Sequence, residues 1–171
     1  IEYLQPIVFS TLEITLEKAP ELWLCEACES CFTQNIIPKD KAERLYSEGE
    51  SCARWVTADT FERSKSSEIV ECLSGLFQMN KRVLDIGCNA GDLLDFAKSL
   101  GCVTSGVDLS SSSKAILESK GHHIFAKKED VTGRCDVITA FDLIEHVYDV
   151  PEFLHSCARL LTDDGVLVIL T

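Results

Sequence analysis

Long apolar runs are missing from this sequence, in which no stretch approaches the roughly 20 consecutive apolar residues of a membrane-spanning helix. The first residues also lack the basic start, apolar centre and small-residue cleavage site of a signal peptide. Basic clusters are missing too, because Lys127 and Lys128 are followed at once by Glu129 and Asp130. We therefore predict a cytoplasmic protein with no membrane partner.

The charge balance is acidic, with a formal net charge of −12 over 171 residues. An acidic surface is repelled by phosphate backbones, so we do not expect nucleic acid as a partner. The apolar fraction of 46% and the charged fraction of 26% are those of an ordinary globular protein with a buried core. The sequence carries no signal of oligomeric state.

Cysteine is abundant, with nine in the chain. Six stand alone, several of them in apolar patterns where a free thiol behaves as a small hydrophobe: Cys52, Cys72, Cys88, Cys102, Cys135 and Cys157. A secreted disulfide scaffold would be shorter and evenly paired, so a reducing compartment is the better interpretation.

The other three cysteines lie in LCEACESCF, residues 24–32, where Cys25 and Cys28 have the C-x-x-C spacing of a zinc knuckle. Tetrahedral zinc needs four ligands, so this pair is half a site. Two interpretations stay open: a zinc half-site with its other ligands outside this sequence, or plain reduced thiols. A thioredoxin-like role is not expected, because the pair does not open a helix within a βαβ unit.

The pattern along the chain separates two regions. Residues 1–50 hold short strand-like runs broken by prolines and no long helical period, which predicts a small β-rich or irregular lobe. Residues 51–171 begin with an amphipathic helix, predicted from apolar residues at helical spacing between Ile69 and Phe77.

From residue 81 onward, strand and helix patterns alternate. The predicted strands are KRVLDIG, VTSGVDL, HHIFA, CDVITAF and VLVILT, with a turn at TDDG before the last. The predicted helices cover 92–100, 110–120 and the segment behind Pro151. This alternation predicts an α/β fold, a Rossmann-like doubly wound parallel sheet. Such sheets bind ligands beyond the carboxyl ends of their strands, here after residues 86, 108 and 140.

One of these loops follows a carboxylate. VLDIGCNAGDLL, residues 83–94, places Asp85 at the end of a strand, ahead of Gly87 and Gly91. The spacing is G-x-x-x-G instead of the dinucleotide-binding G-x-G-x-x-G, and Asp85 would repel a pyrophosphate. A ligand with an ammonium group and a nucleoside but no phosphate suits this loop better.

VLDIGCNAG resembles the first motif of the class I S-adenosylmethionine-dependent methyltransferases. GVDLS, residues 106–110, is similar to their second motif, and residues 141–170 resemble a later segment of the branch that acts on small molecules. The resemblance implies methyl transfer to a small-molecule acceptor: a sugar, a quinone precursor or another metabolite. Asn89 stands where many members have glycine. The sugar C-methyltransferase subgroup often has asparagine at this position, so the sequence resembles that subgroup here.

The resemblance also implies a set of cofactor-binding residues. The first motif would surround the methionine moiety through Asp85, Gly87, Cys88, Asn89 and Gly91, with Cys88 and Asn89 supplying backbone. Asp108 would accept the ribose hydroxyls, and Leu109 would pack on the adenine. Glu129 or Asp130 would receive the adenine amino group. Phe141 and Asp142 would flank the cofactor and the path of the methyl group.

Catalysis and a lid are two further expectations. His146, four residues past Asp142, is the best-placed general base, because histidine is the side chain that most often transfers protons near neutral pH; the alternative is that it only stabilises its loop. The resemblance implies that Tyr46 and Ser51, in LYSEGES, belong to a lid over the cofactor; the alternative is a solvated connector.

The resemblance finally implies that both ends are incomplete. Related methyltransferases carry an N-terminal zinc lobe with two C-x-x-C pairs, and residues 1–46 resemble the part after the first pair. They also add a closing antiparallel hairpin after the fifth strand, so the sheet is expected to lack its last strands. Two other functions stay open: a cofactor-binding scaffold on this fold without turnover, and a nucleotide-dependent oxidoreductase.

Overall fold

The computed structural model of this protein describes residues 7–9, 14–16, 21–34, 37–48 and 73–171. The chain divides into two compact units, residues 1–49 and 50–171.

The first unit contains two antiparallel hairpins and a helix. Strand β1 (Ile7–Phe9) pairs with β2 (Ile14–Leu16), and β3 (Glu21–Leu24) pairs with β4 (Cys31–Gln34). Helix α1 (Lys39–Glu48) follows.

The sequence pattern did not predict helix α1 in this region. Only Ala42 of α1 is buried, so the helix has no apolar stripe for a periodicity argument to find. It is supported instead by ion pairs one turn apart, Lys39–Glu43 at 4.0 Å and Arg44–Glu48 at 3.7 Å. The first helical hydrogen bond runs from Ala42 N–H to the Pro38 carbonyl at 3.0 Å.

The second unit is built on a five-stranded parallel sheet. Its strands are β5 (Arg82–Ile86), β6 (Val103–Val107), β7 (His123–Phe125), β8 (Cys135–Phe141) and β9 (Leu161–Leu170). Their order in the sheet is β7-β6-β5-β8-β9, so the direction of winding reverses between β5 and β8. The predicted doubly wound α/β sheet is confirmed, and its switch point lies where ligands bind in such folds.

Three α-helices connect these strands: α2 (Asp92–Ser99), α3 (Ser111–Ser119) and α4 (Val150–Leu160). Ser110 caps α3, its hydroxyl accepting the Ser113 N–H, and Asp149 caps α4 by accepting the Glu152 N–H at 2.9 Å. The predicted amphipathic helix ending near Phe77 falls mostly outside the described residues, which show a 3-10 turn at Ser74–Leu76.

The last strand differs from its prediction. TDDG was expected to form a turn before the strand, but β9 begins at Leu161 and includes these residues. The pairing moves from Cys135↔Leu161 to Val137↔Val166, so four residues of β9 (162–165) face one residue of β8. The extra residues are absorbed as a bulge, which a sequence pattern with period two does not reveal.

Both faces of the sheet are covered. On β5, Val83 joins a buried cluster with residues of α2, whereas Leu84 and Ile86 join a cluster with Phe153 and Cys157 of α4. This alternation places Asp85 on the same face as Val83. No helix in the described part of the chain is long and apolar enough to cross a membrane.

Candidate functional site

The loop between β5 and α2 turns sharply because Gly87 (φ 80°), Asn89 (φ 44°) and Gly91 (φ 80°) adopt left-handed backbone. The Gly87 N–H donates to the Val107 carbonyl of β6 at 2.8 Å. A Cβ atom at Gly91 would collide with the Leu117 side chain, so both the conformation and the packing require glycine there. The loop is thus held close to the end of β6.

Asp108, which follows β6, fixes this loop with one carboxylate oxygen and α3 with the other. Its Oδ2 accepts the Asn89 N–H at 2.9 Å, and its Oδ1 accepts the Ser110 N–H at 2.8 Å. These bonds hold the carboxylate in one orientation and leave each oxygen with a second lone pair. The structure therefore joins the two predicted motifs through a side chain predicted to bind ligand.

Asp85 lies at the switch point between β5 and β8 and is 6% exposed. Its Oδ1 accepts the Thr139 Oγ1–H of β8 at 2.6 Å. The pKa of Asp85 is raised to about 7, chiefly by burial; the Thr139 hydrogen bond lowers it in part, and the nearby Asp108 charge adds to the rise. A negative charge here is costly, so a cationic ligand would stabilise the ionised form.

Further carboxylates surround this edge of the sheet. Asp92 opens α2, Asp142 follows β8, and the predicted pair Glu129 and Asp130 lies in a 3-10 turn (Lys128–Asp130) after β7. Asp142 also adopts left-handed backbone (φ 48°), and its N–H donates to Leu170 O at 2.9 Å. A helix N-terminus usually attracts phosphate, but this acidic surrounding favours a cation.

The other predicted cofactor residues have distinct environments. Leu109 is 47% exposed and offers an apolar surface next to Asp108. Cys88 is buried, with its sulfur beside Gly106, and burial raises the pKa of its thiol, so only its backbone faces the loop. Phe141 packs, partly buried, against the cluster that contains Phe77.

The predicted general base, His146, is exposed and ends the 3-10 turn Ile144–His146 after β8. The backbone N–H of His146 donates to the Leu143 carbonyl at 2.9 Å. Tyr46 lies on α1 of the first unit and is 42% exposed. Ser51 lies outside the described residues.

The C-x-x-C pair occupies the turn between β3 and β4. The Cys25 N–H donates to Ser30 O at 2.9 Å, and the Glu29 N–H donates to Cys25 O at 2.8 Å. The Ser30 hydroxyl lies 3.4 Å from the Cys28 sulfur, and hydrogen bonding from Ser30 lowers the pKa of this exposed thiol. Within the described ranges no group of three or more His, Cys, Asp or Glu side chains could hold a metal, so two thiols fit only half a zinc site.

Three residues that shape the site were missed from the sequence: Thr139, Leu143 and Lys120. Thr139 is a polar residue within the apolar strand CDVITAF, and this exception was a usable signal. Leu143 would lie 3.3 Å from a Cβ added at Gly87. Lys120 donates to the Ala90 carbonyl of the loop at 2.7 Å, across 30 sequence positions, and no local pattern marks it.

Residues 58–171 match the sequence profile of a family described as a methyltransferase domain. The chain is similar to the ubiquinone biosynthesis O-methyltransferases of Rhodopseudomonas palustris strain BisB5 and Bradyrhizobium sp. strain ORS 278. The identities are 37% and 38% over 120 residues, which are 65% of this chain and 45% of each relative. The chain spans about half the length of these curated relatives.

Solved structures with a similar fold include magnesium protoporphyrin IX methyltransferase from Synechocystis PCC 6803 with bound S-adenosylhomocysteine. Its TM-score is 0.61 at 18% identity, and the match covers 77% of this chain and 71% of that one. Coclaurine N-methyltransferase has a TM-score of 0.55 at 22% identity, over 66% of this chain and 37% of that one. These likenesses confirm the expected fold.

Proposed function

This chain belongs to the class I S-adenosylmethionine-dependent methyltransferases, because residues 58–171 match their methyltransferase domain. We propose that it methylates a small molecule. The observation that carries the proposal is the placement of Asp85 and Asp108 at the ends of adjacent parallel strands. Both border a loop that left-handed glycines fold tightly. This arrangement suits a cationic nucleoside without phosphate.

Asp85 and Asp108 have different roles in this proposal. S-adenosylmethionine, when bound, supplies a methyl group on a sulfonium leaving group. Asp85 balances the ammonium group of the methionine moiety, because a nearby cation offsets the cost of its buried charge. Asp108 accepts the two ribose hydroxyls with the lone pairs that its backbone contacts leave available.

The remaining contacts follow the order of the strand ends. Leu109, exposed beside Asp108, packs on the adenine ring. Glu129 or Asp130, in the turn after β7, accepts the adenine amino group. Phe141 and Asp142, at the end of β8, border the path of the methyl group. Tyr46 and Ser51 as parts of a lid stay a prediction.

We propose His146 as the general base that removes a proton from the acceptor. It lies in the turn after β8, on the side of the switch point opposite the ribose-binding Asp108. Its exposure leaves it open to an acceptor arriving from solvent. A group of this kind typically contributes a rate factor of about 10² to 10⁴.

For the acceptor, we propose an oxygen atom of a small quinone precursor. The support is the likeness to ubiquinone biosynthesis O-methyltransferases. The alternative acceptor is a carbon atom of a sugar, for which Asn89 and the C-x-x-C pair are the supporting resemblance. Identification of the methylated atom by mass spectrometry and NMR distinguishes the two.

Calorimetry on the 171-residue chain with S-adenosylhomocysteine, and separately with NAD, tests the cofactor. We expect S-adenosylhomocysteine to bind; binding of NAD alone would point to an oxidoreductase and overturn the proposal. Transfer of labelled methyl into a panel of catechols and sugars then tests turnover. His146→Ala should lower this rate without changing S-adenosylhomocysteine affinity, and binding without any transfer would indicate a scaffold.

We also propose Cys25 and Cys28 as two ligands of a structural zinc whose other ligands lie outside this sequence. The support is their spacing and their place in a tight hairpin turn. Zinc takes no part in the proposed methyl transfer.

A further inference from the structure

Lys120, just after α3, ties the cofactor loop to the helix that follows the loop. Its Nζ donates to the Ala90 carbonyl at 2.7 Å and to Asp95 Oδ2 at 2.6 Å. Ala90 is the residue before Gly91, and Asp95 lies in the first turn of α2. One cation therefore holds both the end of the loop and the start of the helix.

Two opposite charges act on consecutive residues of this loop. Asp108 accepts the N–H of Asn89, and Lys120 donates to the carbonyl of Ala90. Asn89 has left-handed backbone, which asparagine adopts more readily than most residues but which still needs contacts that constrain it. Asp108 and Lys120 supply that constraint from the loops after two different elements, β6 and α3.

The Lys120 ammonium group is itself held in place. Lys98 donates to the Lys120 carbonyl at 2.5 Å, which fixes the backbone after α3. Asp95, the partner of Lys120, also contacts the buried His122 ring, whose Nε2 lies 2.9 Å from Asp95 Oδ1. The other ring nitrogen lies 2.8 Å from Thr104 Oγ1 of β6. Lys120 thus belongs to a network that spans α2, α3 and β6.

We propose that Lys120 is a positioning residue for the cofactor, acting through the Ala90 carbonyl and not by touching the ligand. The inference rests on the proposed function, because it assumes that this loop surrounds S-adenosylmethionine. A loop fixed before binding loses less conformational freedom when the ligand arrives, so affinity rises. Lys120 keeps the loop in the shape that the cofactor needs.

The test compares four variants of the 171-residue chain by calorimetry with S-adenosylhomocysteine and by urea unfolding. Lys120→Met should weaken binding roughly tenfold, the scale of one charge-assisted hydrogen bond, and Lys120→Arg should restore most of it. Lys114→Met removes the same charge from the exposed side of α3 and should bind like the wild type. Lys81→Met removes another ion pair of the second unit, Lys81–Asp136 at 3.1 Å, which contacts neither the loop nor Lys120.

Lys81→Met separates positioning from general stability. If it weakens binding as much as Lys120→Met does at an equal loss of unfolding free energy, the role of Lys120 is only structural and the inference is wrong. Wild-type affinity in Lys120→Met would overturn it as well.

Amide hydrogen exchange in the ligand-free chain provides a readout that needs no cofactor. Lys120→Met should speed exchange at Asn89 and Gly91, whereas Lys81→Met should not. Faster exchange in a chain that never binds S-adenosylhomocysteine would overturn the proposed function but support the fixing of the loop by Lys120. Unchanged exchange would overturn the inference whatever the cofactor result.

Discussion

The β3–β4 hairpin in the first unit and the carboxyl edge of the sheet in the second both gather reactive side chains, but in opposite surroundings. In the hairpin, Cys28 is exposed, and the backbone bonds of its turn join residues at most five positions apart. At the sheet edge, Asp85 is buried and bonded to Thr139, 54 positions away. The hairpin's chemistry therefore depends on local structure, whereas that of the sheet edge depends on the whole second unit.

Thiol reactivity should show this difference most strongly. Cys28 and Cys31 are exposed, whereas burial raises the pKa of four thiols in the second unit: Cys88, Cys102, Cys135 and Cys157. Buried thiols react chiefly when the structure opens, and unfolded fractions are typically about 10⁻³ or less. We expect iodoacetamide at pH 8 to modify the exposed pair about a thousandfold faster, measured by peptide mass spectrometry. Comparable rates would mean that the second unit does not hold its sheet.

Bound zinc would change the rate at which iodoacetamide modifies the cysteines of the β3–β4 hairpin. In a longer version of the chain that includes the expected N-terminal cysteine pair, loaded with zinc, Cys25 and Cys28 should be protected relative to Cys31, and a chelator should remove the protection. Metal analysis should find about one zinc per chain. A folded, metal-free sample with equal labelling before and after chelation would leave the reduced-thiol interpretation.

The burial of Asp85 at the sheet edge should make the stability of the folded chain depend on pH. The pKa of Asp85 is raised from 3.8 to about 7 in the folded chain, so the folded state keeps a proton that the unfolded state has lost. Stability contributed by this group is therefore full at low pH and falls as pH rises from about 4 to about 7. The fall is up to about 4 kcal/mol in the free energy of unfolding.

Asp85→Asn isolates this contribution, because the carboxylates shared by both chains cancel in the difference. Its amide oxygen can still accept the Thr139 hydroxyl. We expect the variant to gain stability relative to the wild type across this pH window, measured by urea unfolding, and to lose affinity for S-adenosylhomocysteine. A difference that does not change with pH would show that Asp85 is not desolvated.

The sequence was sufficient for the parts of the molecule that depend on local pattern. Strands, helix caps and the glycine loop follow from residues within one or two turns of each other, and the structure places Asp108 next to the loop as the motifs imply. Helix α1 was not predicted, because exposed ion pairs and not an apolar face support it. The roles of Thr139 and Lys120 were not predicted, because their contacts with Asp85 and Ala90 span 54 and 30 sequence positions. Only the folded sheet brings those residues together.

Asp108→Ala should have the smallest of these effects, and it tests whether the sheet edge binds ligand as well as holding its own structure. We expect S-adenosylhomocysteine affinity to fall roughly thirtyfold, about 2 kcal/mol, because a ribose acceptor is lost and the Asn89 N–H is released. Glu26→Ala, an exposed acid in the hairpin turn, makes the same charge change and should leave calorimetric affinity unaltered. If both substitutions weaken binding equally, the effect is one of net charge, and Asp108 would have no specific contact with the ribose. A loss confined to Asp108→Ala would place recognition at the end of β6, where one carboxylate serves the fold and the ligand together.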